Sequence, residues 1–241
     1  MNTQVVTISS RVPDPVKESY YHLDVFKKSA SEHGIEPHFL NEGPWGGLIS
    51  KPKHLLKYLE REGSKFGIIC SLDAWDTLLV SSLDAIVAKF KGIDAPIVFN
   101  AERCCFPRTD LAEKHPVALS PYRYLNSGFI LGYTEAVIEM LREMNLGSIP
   151  DDHVMPDGKK WEPNDQGYFM EWYINHQQKA ALDSQAFICQ TLHDAGPDEF
   201  EQMPGYANRI MSRVTGNFPA VFHGNGNGKT WFEKIMKWRG L

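Results

Sequence analysis

Four short apolar runs, each adjoining a cluster of polar residues, constrain this chain more than any other feature. Residues 66–71 lead into Asp73 and Asp76, and residues 96–99 into Asn100 and Glu102. Residues 129–131 follow Asn126 and Ser127, and residues 218–222 run into His223. Helical patterns lie between them. Val16, Tyr20, Leu23, Phe26 and Ala30 recur every three or four residues over 16–33, and Gly34 closes that face. Pro52 opens a helix with Leu55, Leu56 and Leu59 inward, stopped at Gly63. Ser82 begins another, Thr134 caps one carrying Val137, Ile138 and Leu141, and Asn164 starts an aromatic helix with Phe169, Trp172 and Tyr173. The stretch 145–163 reads as a loop and 194–216 as irregular, and a terminal helix carries Trp231, Ile235 and Trp238. Strands alternating with helices predict an α/β fold over residues 1–241 as one domain. It has a single mainly parallel sheet with helices on both faces. In such a sheet the strand ends gather along one edge, where ligands bind.

Composition narrows the function classes. With 42% hydrophobic residues and 12% aromatics, 241 residues can bury a sizeable core. A net charge of -5 gives no general attraction to nucleic acid or to anionic membranes. No apolar run reaches the roughly 20 residues that span a bilayer, and the first residues lack the basic segment and apolar core of a secretion signal. Cys70, Cys104, Cys105 and Cys189 are too scattered for a disulfide scaffold or a zinc knuckle. The expectation is a soluble, cytoplasmic protein with reduced thiols.

The strand-end residues carry the chemistry. Asp73 and Asp76 offer the hard oxygens that Mg²⁺ and Mn²⁺ take, often while bridging to substrate phosphates. Capping of a strand-to-helix turn is the plainer use of such a pair. His223 is the natural third ligand, since imidazole suits Mn²⁺ better than Mg²⁺. Behind it, Gly224, Asn225, Gly226 and Lys229 form a loop whose amides and ammonium can meet an anion. This is not a P-loop, which needs glycine where His223 stands, six residues before the lysine. Asn164, Asp165 and Gln166 either cap their helix or aim a carboxylate at an acceptor hydroxyl, and Glu102 joins them as a candidate catalytic acid. Asn126 and Ser127 can hydrogen-bond sugar hydroxyls or make a simple turn. Trp75 stacks on a base or packs, and Trp45 to Gly47 with Lys51 closes over a nucleotide or forms a solvated loop.

Taken in order, Leu72-Asp-Ala-Trp-Asp76, Phe99-Asn-Ala-Glu-Arg-Cys-Cys-Phe-Pro107, Tyr124-Leu-Asn-Ser-Gly128, Asn164-Asp-Gln166 and His223-Gly-Asn-Gly226 resemble the glycosyltransferase domain of the procollagen lysyl hydroxylase family. The resemblance runs from the first strand to Lys229. It implies a GT-A-like fold, a nucleotide-diphosphate sugar donor, UDP in first place, and Mn²⁺ or Mg²⁺. By position it makes Asp73, Asp76 and His223 metal ligands, sets Trp75 and Thr7 against the base, puts Gly226 and Lys229 at the diphosphate, and marks Asp165 as important for transfer. Asn164 departs from the family's acid, and Phe129 stands where the family has a second glycine. The hydroxylase part has no counterpart in these residues. The reading is a metal-dependent glycosyltransferase acting on a protein, glycan or hydroxymethylated nucleobase hydroxyl, the last disfavoured by the acidic charge. A nucleotide-sugar hydrolase or phosphoesterase, and a non-catalytic nucleotide-sugar-binding protein, are the alternatives. Oligomeric state is open.

Overall fold

The computed structural model describes residues 2–8, 23–43, 46–149, 153–154, 160–161, 164–206 and 208–241. Strand β1 (Thr3–Ile8) is followed by helix α1 (Leu23–Glu32), strand β2 (His38–Leu40) and helix α2 (Ser50–Glu62). Next come β3 (Ile68–Asp73), β4 (Thr77–Leu79), α3 (Leu83–Lys91), β5 (Ile97–Glu102), β6 (Tyr124–Tyr133) and α4 (Thr134–Glu143). The pair β7 (His153–Val154) and β8 (Lys160–Trp161) precedes α5 (Asp165–Asn175). The chain continues with β9 (Ala181–Asp183), β10 (Cys189–Thr191), β11 (Phe200–Gln202), β12 (Ile210–Ser212), β13 (Val221–His223) and α6 (Lys229–Arg239).

Among the described residues the central sheet has six strands in the order β2-β1-β3-β6-β5-β9. Its β1–β2, β1–β3 and β5–β9 pairs are parallel, while β6 runs antiparallel between β3 and β5. Alternation along the strands splits the core in two. Val6, Ile69, Ile97 and Phe99 face α2, α4 and α5 through Leu55, Leu59, Val137, Leu141 and Phe169. Val5, Ile68, Cys70 and Val98 face the other way, onto Phe26 of α1 and Ile86 and Phe90 of α3. Fully burying each such side chain contributes roughly 1.5–3 kcal/mol, so reversing the register of one strand would be costly on both faces at once. The expected α/β, GT-A-like arrangement with helices on both faces is therefore present.

A second sheet, β10-β13-β4, lies against the α1 and α3 side through Leu79, Cys189 and Val221. Its other face carries Leu78, Leu192 and Phe222, covered by Trp231, Phe232 and Ile235 of α6. Among the described residues no helix is long and apolar enough to cross a membrane.

Several local expectations change. Strand β4 was not foreseen between Asp76 and the next helix; it has three residues and exists by pairing with β13. Residues 194–216 are not wholly irregular, because β11 and β12 form an antiparallel pair there. Thr134 is not a cap: the N-cap is Tyr133, without a side-chain bond, and the buried Thr134 hydroxyl has no partner among the described residues. Ser82 does cap α3, its Oγ accepting the Ala85 N–H. Helix α2 begins at Ser50, two residues before Pro52. Of the expected helix over 16–33, residues 16–22 lie outside the described residues, as do Trp45 and much of 145–163.

Two buried features fix the sheet, and each gives a prediction. A Cβ on Gly132 would lie 2.9 Å from Val137 Cγ2 and 3.0 Å from the Pro96 carbonyl oxygen. Gly132→Ala is expected to destabilise the fold by about 1–3 kcal/mol in urea denaturation, the range for overpacking; an unchanged midpoint would contradict this packing. The buried Asp183 carboxylate accepts the N–H groups of Phe187, Ile188 and Cys189 at 2.7, 2.7 and 2.8 Å, setting the entry into β10. Asp183→Ala leaves those donors without their acceptor, and a loss of about 3 kcal/mol is expected in the same measurement.

Candidate active site

The topology explains why residues far apart in sequence converge. Strands β3 and β5 deliver Asp73 and Glu102 at their carboxyl ends, and antiparallel β6 brings Asn126 and Ser127 to the same edge near its start. In the second sheet, β4 pairs antiparallel with β13 so that Thr77 faces His223. One step on, the Gly224 N–H donates to the Asp76 carbonyl at 2.7 Å, and Asp76 and His223 are thereby held side by side. These groups line an open cleft of about 600 Å³ together with Lys51, Asn164, Asp165, Gln166, Asn225 and Gly226.

His223 is buried, and its ring is oriented from behind. Its Nδ1–H donates to Asn126 Oδ1 at 3.1 Å, because Asn126 Nδ2 is already committed to Glu102 Oε1 at 3.1 Å. That fixes Nε2 toward the acids, 3.3 Å from Asp76 Oδ1 and 3.8 Å from Asp73 Oδ2. Burial alone would lower the His223 pKa, but the Asp76 carboxylate, its hydrogen bond and Asp73 outweigh it and hold it above the ordinary value. Burial would likewise raise Asp76, yet His223 and Lys229 hold its carboxyl well below the usual range. Both shifts share one cause, the mutual attraction of these opposite charges. The ligand atoms of Asp73, Asp76 and His223 all lie within 4.8 Å of one another. Two hard oxygens and an imidazole whose other nitrogen is hydrogen-bonded make a donor set that fits a divalent cation such as Mn²⁺.

Space for the ring comes from Gly128, where a Cβ would stand 2.1 Å from His223 Cε1. Glu102 is the hub behind the site. It accepts from Asn126 and from Gln166 Nε2 (2.7 Å) on Oε1, and from Asn225 Nδ2 (2.9 Å) on Oε2. Burial raises its pKa, with the Asn126 and Gln166 bonds opposing. Gln166 Oε1 in turn accepts the Ser127 N–H at 3.1 Å.

On the other side of Asp73, Lys51 from the first turn of α2 donates to Asp73 Oδ1 at 2.8 Å and lies 3.1 Å from Asp165 Oδ2. Ser127 Oγ–H donates to the same Asp165 oxygen at 3.0 Å. Burial lifts the Asp165 pKa, and Lys51 opposes the rise. Lys229, the first residue of α6, donates to Asp76 Oδ2 at 2.8 Å. Each aspartate of the trio is thus matched by one lysine.

Other sequence candidates have different places. Asn164 lines the cleft but also caps α5, its Oδ1 accepting the Gln166 N–H. Thr7 is buried on β1, its hydroxyl without a partner among the described residues, and does not line the cleft. Trp75 lies half-buried in the bend between the two aspartates and does not line the cleft either. The Gly224 amide is taken by Asp76, and a Cβ there would meet the Phe232 ring at 2.8 Å. Asn225 is a brace: its Oδ1 accepts the Leu192 and His193 N–H groups. Gly226 adopts φ +54 and sits against the His193 ring. The sequence reading missed Leu48, Cys104, Phe106 and His193 as cleft residues. Cys104 and His193 follow the ends of β5 and β10, so the strand-end rule, applied to every strand, would have found them.

Comparison with known proteins identifies the family. The family model described as the PLOD GT domain matches residues 2–239. The chain is 28% identical over 216 residues to uncharacterized protein R699 of Acanthamoeba polyphaga mimivirus, which covers 85% of this chain and 43% of that one. It is 31% identical over 172 residues to the procollagen-lysine,2-oxoglutarate 5-dioxygenase of Drosophila melanogaster, covering 67% of this chain and 22% of that one. The chain therefore spans less than half the length of either relative. A solved glycosyltransferase involved in glycosylation of the major capsid of PBCV-1 superposes with a TM-score of 0.54 over 98% of this chain and 99% of its own. At 10% identity that likeness speaks to the fold alone. The match to the family model over nearly all of its residues shows that the chain belongs to the family of the PLOD glycosyltransferase domain.

Proposed function

We propose that this glycosyltransferase-family protein moves a hexose from a nucleotide-diphosphate sugar, with UDP as the nucleotide, to an acceptor hydroxyl, in a reaction that needs a divalent cation. The convergence of Asp73, Asp76 and His223 beside Asp165 and Glu102 in one cleft carries the reading. A Mn²⁺ or Mg²⁺ ion held by the trio would supply positive charge against the leaving diphosphate.

The chain's own residues supply the rest. Lys229, already 2.8 Å from Asp76, adds a second positive charge where the departing diphosphate gathers negative charge. Thr7 and Trp75 lie outside the cleft and are given no contact with the base; on β1 the residue paired directly with Asp73 is Ile8. Asp165 orients the acceptor hydroxyl; Lys51 and Ser127 fix its Oδ2, and burial lifts its proton affinity in the direction a proton-accepting carboxylate needs. Glu102, engaged by three side-chain amides, acts as a positioning residue for Asn126, Gln166 and Asn225. Among acceptor classes, nucleic acid is least favoured by the net charge of -5.

Three outcomes follow for the purified protein. Asp76→Asn should keep the fold by circular dichroism and lose roughly 100-fold or more in sugar transfer, whereas wild-type rates would remove the role given to the trio. Gly128→Ala, which pushes a methyl into the His223 ring, should lose activity on a comparable scale, and a fully active Gly128→Ala protein would contradict the ring's importance. A UDP-sugar at 100 times its Kd, with Mn²⁺, should raise the melting temperature by roughly 5–10 °C, since such binding stabilises by about 2.7 kcal/mol. Equal UDP release with and without every acceptor offered would favour a hydrolase, and binding without turnover a non-catalytic protein.

A further inference from the structure

Apart from the Asp73, Asp76 and His223 trio, a second set of potential ligands sits at the same cleft. Cys104 follows β5, and His193 with Asp194 follows β10; the Thr191 hydroxyl ties these segments by donating to the Ala101 carbonyl at 2.8 Å. Asp194 takes the left-handed conformation (φ 55), uncommon outside glycine. Asn227 clamps it there: its Oδ1 accepts the Asp194 N–H at 2.8 Å and its Nδ2 donates to Asp194 Oδ1 at 2.6 Å. The other carboxylate oxygen, Oδ2, lies 3.3 Å from Cys104 Sγ and 3.5 Å from His193 Nε2. All three ligand atoms fall within 4.8 Å of one another. A tetrahedral zinc ion has bonds of about 2.3 Å to sulfur and about 2.0–2.2 Å to nitrogen and oxygen, so its nitrogen–oxygen edges are roughly 3.3–3.5 Å and its sulfur–oxygen edges roughly 3.5–3.7 Å. The 3.5 Å separation of His193 Nε2 and Asp194 Oδ2 matches the first, and the 3.3 Å separation of Cys104 Sγ and Asp194 Oδ2 is a few tenths of an ångström short of the second.

We propose that Cys104, His193 and Asp194 form a binding site for Zn²⁺ or a similarly thiophilic divalent cation, separate from the trio and with its fourth position open to the cleft. The charges balance, since a thiolate and a carboxylate cancel the 2+ ion. On loading, the Cys104 S–H bond breaks, the Sγ–metal bond forms, and the thiol proton leaves to solvent; nothing is oxidised or reduced. Because loading releases the thiol proton, occupancy rises with pH. The Asn227 N–H now donates to His193 Nδ1 at 3.2 Å, which keeps the ring proton on Nε2. Coordination through Nε2 requires that proton to move to Nδ1 and the Asn227 N–H to give up its bond there.

Titration of the full chain with Co²⁺ alone tests the site, because cobalt bound to a thiolate gives a charge-transfer band in the near ultraviolet. The band should appear in the wild type and in Cys105→Ser, and vanish in Cys104→Ser. Asp194→Asn should weaken cobalt binding at least about tenfold. A second measurement needs no variant: one equivalent of Zn²⁺, but not of Mn²⁺, should slow alkylation of Cys104 while leaving Cys105 unchanged. No band in the wild type, a band that survives Cys104→Ser, or equal alkylation with and without Zn²⁺ would overturn the proposal. None of these readouts depends on sugar transfer, so they stand or fall apart from the proposed activity.

Discussion

The antiparallel pairing of β4 with β13 is the constraint on which the site depends. Three residues on each side suffice, with Thr77 opposite His223 and the Gly224 N–H on the Asp76 carbonyl. That short ladder draws a strand from near the carboxyl end against the bend that carries Asp76. Closing so long a stretch of chain costs only logarithmically more than closing a short one. The apolar face beneath, with Leu78, Phe222 and Phe232, stabilises the pairing. The acids and the imidazole are thus placed by backbone hydrogen bonds and burial rather than by attraction between their charges.

Behind them lies a polar network with little freedom. Glu102 receives three amide donors, and Asn126 passes that order to His223 through a single oxygen. In a buried setting each of these bonds is costly to leave unmade, so the arrangement is stiff before any ligand arrives. Preorganised dipoles of this kind are what make an active site effective when charge develops in it.

Much of this was legible in the sequence, and the illegible parts share one cause. Apolar runs ending in acids announce the sheet edge, Ser82 and Asn164 announce helix starts, and the resemblance groups Asp73, Asp76 and His223. Strand β4 was invisible because three residues show no periodicity, and its partner comes much later in the chain. The hairpin of β11 and β12 hid in the same way. Gly224 reads as a phosphate-binding glycine by spacing alone, yet a remote ring, Phe232, is what forbids a side chain there. Cys104 and His193 looked unremarkable until strand order set them beside one another at the cleft.

Lys51 touches both Asp73 and Asp165, one carboxylate from each half of the cleft. A single ammonium shared in this way makes the two acids energetically interdependent: neutralising either one returns the whole cation to the other. Substitutions at Asp73 and Asp165 will therefore not combine as independent losses, and the double-mutant cycle between them reads the strength of the lysine bridge rather than of either acid.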